Sequence, residues 1–72
     1  MFKGYPERYR LFRAKLKQAR IDAGLTQQQA AKLMGISQQC ISKCETGERR
    51  VDFIELIEFS RIYNKPVSYF EP

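Results

Sequence analysis

The chain has 72 residues and a net charge of +5, from thirteen Lys and Arg against eight Asp and Glu, with two Cys and no His. That length allows one small domain that buries only ~60% of its unfolded surface. With no His, no metal-ligand cluster, no phosphate-cradling glycine loop and no Ser or Cys beside a base, nothing here assembles an active site, so neither an enzyme nor a cofactor is expected.

Arg8, Arg10, Arg13, Lys15 and Lys17 interrupt the N-terminal third, so no signal peptide or membrane span is present and a soluble, cytoplasmic protein is expected. The positive charge favours polyanions such as nucleic acid, although many proteins with the same bias bind none. Cys40 and Cys44 lie one helical turn apart. A zinc site wants four ligands and the chain has no His, and neighbouring turns of one helix give poor bridging geometry for a disulfide. Cys44 therefore reads as a small core residue and Cys40 as a filler or groove-facing thiol.

Residues 1–5 read as a tail. Pro6 and Glu7 open a helix that runs to Ala23, with Phe12, Leu16, Ala19 and Ala23 spaced to form a buried face, and Gly24 ends it. Thr26 and Gln29 form a capping box for a second helix whose apolar side is Ala30, Leu33 and Met34, with Ala31 small where the next helix must cross. Gly35 supplies the sharp turn, Ser37 caps a third helix running to Thr46, and Ile36 packs on Ile41 as a staple. Ile41 and Cys44 make its buried seam, leaving Gln38, Gln39, Ser42 and Lys43 on the outer face. After Gly47 and the loop Glu48-Arg49-Arg50, Asp52 and Glu55 form a second capping box, stapled by Val51 and Leu56. The fourth helix carries Leu56, Phe59, Ser60 and Tyr63 and stops at Asn64. Pro66 opens a fifth, single-turn helix in which Val67 and Phe70 close the core. The reading is an all-α, compact five-helix bundle in one domain, with a helix-turn-helix at 27–46.

The segments Ala19-Arg20, Gly24-Leu25-Thr26-Gln27, Ala31, Gly35-Ile36-Ser37, Ile41-Ser42, Glu45-Thr46-Gly47 and Leu56…Phe59-Ser60…Tyr63…Phe70 resemble the DNA-binding domain of the lambda-repressor-like family, which holds phage repressors, Cro and xenobiotic-response-element regulators. Three positions depart from its pattern. Cys44 stands where a larger aliphatic residue is usual, Ser60 where Ala is usual, and Lys65 where an apolar residue is common.

The resemblance implies that Gln27 holds a DNA phosphate, that Gln38 and Gln39 open a recognition helix, and that Arg20 and Glu45 tie helix one to helix three by an ion pair. A carboxamide can bond adenine through N6 and N7 together, and Lys43, one turn on, can donate to guanine or to a phosphate. Ser37, Ser42, Arg49 and Arg50 are further expected phosphate contacts, and Cys40 can touch a thymine methyl. One recognition helix reads few base pairs, so a homodimer on a palindromic operator is expected. Its contact is sought first on the fourth and fifth helices, with Val67, Tyr69 and Phe70, and otherwise at Phe2, Tyr5 and Tyr9. The expected function is a transcription regulator, by default a repressor, bound to double-stranded DNA. The alternatives are an antitoxin with a toxin partner or a restriction-system controller of the same fold, or a protein-interaction module that has lost DNA binding.

Overall fold

The computed structural model describes residues 1–72 and contains four α-helices and a closing 3-10 turn, with no strand. Helix α1 spans Tyr5–Asp22, α2 Gln27–Met34, α3 Gln38–Thr46 and α4 Phe53–Ile62, and the 3-10 turn is Val67–Phe70. Helix α1 begins one residue before Pro6, at Tyr5, with Gly4 ahead of it. Both expected capping boxes form. Thr26 accepts the Gln29 amide while the Gln29 side chain accepts the Thr26 amide, and Asp52 and Glu55 do the same for α4. Each box satisfies two amides that a helix start otherwise leaves without partners. Asn64 takes φ 55° just past α4, the left-handed stop that an Asn tolerates.

The core is one cluster of Leu16, Ala19, Ala30, Ala31, Ile41, Cys44, Phe59, Tyr63 and Phe70. Ala30 and Ala31 are fully enclosed, and their small side chains are what let α2 and α3 approach. Three apolar residues assigned to the core lie outside it. Ala23 is exposed because it is the residue that ends α1. Leu33 is 60% exposed, since the buried face of an eight-residue helix centres on Ala30, Ala31 and Met34 and leaves Leu33 on its flank. Val67 is 38% exposed, because a single 3-10 turn reaches the core only through the Phe70 ring, which meets Phe12 edge-on at 6.4 Å.

The unusual residues near the C-terminus compensate one another. The Ser60 hydroxyl donates to the Lys65 carbonyl. The Lys65 ammonium lies 3.1 Å from Asp22 Oδ2 and 4.6 Å from the centre of the Tyr69 ring. Cys44, though smaller than an aliphatic residue, is sealed beneath Arg49, and burial raises its thiol pKa above the ordinary range.

Tyr63 stacks on Phe59 with ring centres 5.5 Å apart, and its hydroxyl is buried without a hydrogen-bond partner. Burial, followed by the field of Glu45, raises its pKa. An unmatched hydroxyl in a closed core costs free energy that a phenyl ring of the same shape does not. Tyr63→Phe is therefore expected to leave thermal stability unchanged or raise it by up to ~2 kcal/mol, read by calorimetry. A clear loss would mean that the hydroxyl has a partner.

Candidate nucleic-acid interface

Helices α2 and α3 are joined by Gly35-Ile36-Ser37, and three local features set their angle. Gly35 has φ 73° with open space where a Cβ would stand, so its requirement is conformational and not steric. The Ile36 amide donates to the Ala31 carbonyl at 3.0 Å, and Ser37 Oγ accepts the Cys40 amide at 3.2 Å. Ile41 and Cys44 then bury one side of α3. This places Gln38, Gln39 and Lys43 on its exposed side, with Cys40 and Ser42 half-buried between the two.

Beneath that face runs a chain of side-chain contacts. The Arg20 guanidinium grips Glu45 with two hydrogen bonds, Nε to Oε2 at 2.6 Å and Nη2 to Oε1 at 3.2 Å, and donates a third to the Leu25 carbonyl at 2.8 Å. The two side chains keep only 11% and 4% of their exposure. The bond to Glu45 raises the Arg20 pKa above its ordinary value. Glu45 Oε1 also accepts from Gln27 Nε2 at 3.1 Å, and Gln27 Oε1 accepts from Gln38 Nε2 at 3.4 Å. Arg20, Glu45, Gln27 and Gln38 thus connect α1, α3, α2 and the first turn of α3 in sequence. Gln39 and Lys43 lie outside this chain, free in solvent.

The two loop arginines, both expected at phosphates, differ from each other. Arg49 was assigned to a phosphate, but its guanidinium is held by Glu55 at 3.1 and 2.5 Å and lies 3.5 Å from Cys44 Sγ. Glu55 faces it because the capping box fixes that carboxylate beside the loop, so Arg49 braces the loop to α4. The Arg49 contact holds the Glu55 carboxyl below its usual range. A carboxyl with a lowered folded-state pKa adds stability above its unfolded pKa and loses it as pH falls through the folded one. Melting temperature should therefore drop on acidification from about pH 4.5 downward, and Glu55→Gln should lower it at neutral pH while flattening the acid limb. Arg50 is exposed and lies over the Tyr5 and Tyr9 rings, 4.6 and 5.0 Å from their centres.

Two positioning residues were not foreseen. Arg13 donates from α1 to the Thr46 carbonyl at the C-terminal end of α3, where the helix dipole is negative. Gly47 beside it is left-handed at φ 88°, and a Cβ there would fall 2.6 Å from the Arg13 guanidinium and push that flexible side chain aside. Tyr9, read as a possible dimer residue, accepts the Val51 amide on its hydroxyl at 3.0 Å and pins the loop to α1. Their only sequence signal was a basic and an aromatic residue on the first helix, which could have faced solvent equally well.

A capped eight-residue helix, a glycine turn and a second helix with an exposed polar face define a helix-turn-helix domain. The sequence model of the family described as helix-turn-helix, of the Cro/C1 type, matches residues 16–70, and the chain belongs to this lambda-repressor-like family of DNA-binding regulators. No curated protein matches the chain. No helix is long and apolar enough to cross a membrane.

Proposed function

We propose that this chain is a sequence-specific regulator that lays α3 in the major groove of a palindromic operator as a homodimer and represses by occupying it. The observation that carries this reading is the exposed row Gln38, Gln39 and Lys43 on a helix anchored from behind through Gln27 and Glu45 to Arg20. Base readout needs side chains held at fixed positions, and a carboxamide braced by a neighbour is oriented before DNA arrives. Gln27 spends one amide hydrogen on Glu45, which leaves the other for a phosphate at the start of α2, where free amides and the helix dipole favour an anion. Ser37 and Ser42 flank the same groove, and Cys40 offers an apolar edge. Arg50 supplies charge to the backbone, whereas Arg49 is committed to Glu55.

Selection from a random duplex-DNA pool, followed by sequencing of the bound fraction, tests the proposal. A two-fold symmetric motif is expected, and no enrichment by folded protein would refute it. On the selected site, affinity should fall steeply with salt as counterions are displaced. Arg50→Gln should reduce the slope of log affinity against log salt by about one per half-site, and Arg49→Gln should leave the slope alone while lowering the melting temperature. The opposite pattern would exchange the roles of the two arginines.

A further inference from the structure

We propose that a second copy of this chain covers the apolar groove between the N-terminal parts of α1 and α4, as the two-fold interface of the regulator. This deepens the dimer reading above, which it takes as its premise. Helices α1 and α4 leave an open groove of about 320 Å³, walled by Tyr5, Tyr9, Phe12, Val51 and Leu56. Phe2 and Phe53, which also line it, are 57% and 65% exposed, and Ile54, next to Phe53 in the first turn of α4, is 69% exposed. Scattered apolar side chains are ordinary on a surface, but a group of them beside an apolar hollow is a contact site. A projection and a hollow on one face are what an isologous contact uses, since each copy offers both.

Charge selects the occupant. Arg8 lines the α1 side of the groove and Asp52 the α4 side, and neither has an ionic partner within the chain. A purely acidic or purely basic partner would answer one and repel the other. A second copy related by a two-fold axis that runs along the groove sets Arg8 of each against Asp52 of the other, so both charges are matched twice. The rival surface at the 3-10 turn offers less. Phe70 is buried, and Tyr69 is already covered by the Lys15 and Lys65 ammoniums, so less apolar surface is left there for a second copy.

The test is sedimentation equilibrium of the 72-residue chain without DNA, beside its Phe53→Ser, Ile54→Ser, Asp52→Asn and Val67→Ser variants. Wild type should dimerise, and each of the two Ser variants at Phe53 and Ile54 should weaken the dimer by about 30-fold or more. Asp52→Asn, which keeps a good N-cap, should weaken it less and reduce its salt dependence. Val67→Ser should stay dimeric. Thermal melts verify that the exposed substitutions leave the fold intact. Wild type that stays monomeric at several hundred micromolar, Ser variants at Phe53 and Ile54 that dimerise like wild type, or loss of the dimer in Val67→Ser would each overturn the inference. Because DNA is absent, a dimer broken by Phe53→Ser sustains this interface even if the pool selection yields no motif, and a motif bound by a monomer removes the interface while leaving DNA binding in place.

Discussion

Replacing Glu45 by Ala is expected to be the most damaging single change outside the aromatic core. The Arg20 guanidinium, 11% exposed at its side chain, would then keep only its bond to the Leu25 carbonyl. Removing one partner of a buried ion pair leaves the other charged in a place that water reaches poorly, at a cost of ~3–5 kcal/mol. A domain of this size has a total stability of about 4–11 kcal/mol, so the variant should melt roughly 12–40 °C lower or be partly unfolded at 37 °C. The decisive comparison is the double variant Arg20→Met/Glu45→Leu, in which no charge is stranded. It should recover much of the loss, because a buried pair stabilises little relative to apolar side chains of similar volume. If the double variant melts as low as Glu45→Ala, the pair itself, with its bonds to Gln27 and Leu25, holds the helices together. If Glu45→Ala barely moves the melt, water reaches Arg20 easily and the pair behaves like a surface one, worth less than ~1 kcal/mol.

The second large effect is on DNA. Gln38→Ala and Gln39→Ala remove side chains that are exposed and touch nothing in the core, so their melting curves should stay within ~0.5 kcal/mol of wild type. Each is expected to weaken operator binding by about 10- to 100-fold, the worth of a bidentate base contact, with little change on random DNA. The two should differ in their coupling. Gln38 is bonded to Gln27, so Gln27→Ala and Gln38→Ala should be non-additive, whereas Gln39→Ala should add independently. A double-mutant cycle by fluorescence anisotropy on the selected operator reads both numbers. Equal losses on operator and random duplex would assign these glutamines to backbone contact and not to readout.

The sequence was most legible where a local rule acts alone. Thr26 with Gln29, Asp52 with Glu55, Ser37 as a cap and Gly35 as a left-handed turn each depend on residues within one turn of chain, and all four are in the structure. The fifth helix was located correctly, but four residues close only a 3-10 turn. Leu33 and Val67 were misjudged because an apolar residue at roughly helical spacing does not say where the centre of the buried face falls. Neighbouring elements decide that, and α2 presents its two alanines to them.

Charged side chains were the least legible part. The family pattern pointed to Arg20 and Glu45, which do meet, but nothing local distinguishes Arg49 from Arg50 in a loop that carries both. One is drawn into a bidentate bond by a carboxylate six residues on, and the other rises onto two tyrosines some forty residues earlier. Tyr9 and Arg13 likewise gain their roles from partners that only folding brings close.

By itself, then, the sequence determined the helices, their caps and the turn between α2 and α3, because backbone geometry and capping chemistry are settled within a few residues. It determined through the same pattern that the outer face of α3 would be polar. Only the tertiary structure decided which charges are spent on the scaffold, which glutamine is braced, and where apolar surface remains uncovered. Those outcomes depend on distances between helices, and the same side chain is a surface group or a strut according to what lies across the gap from it.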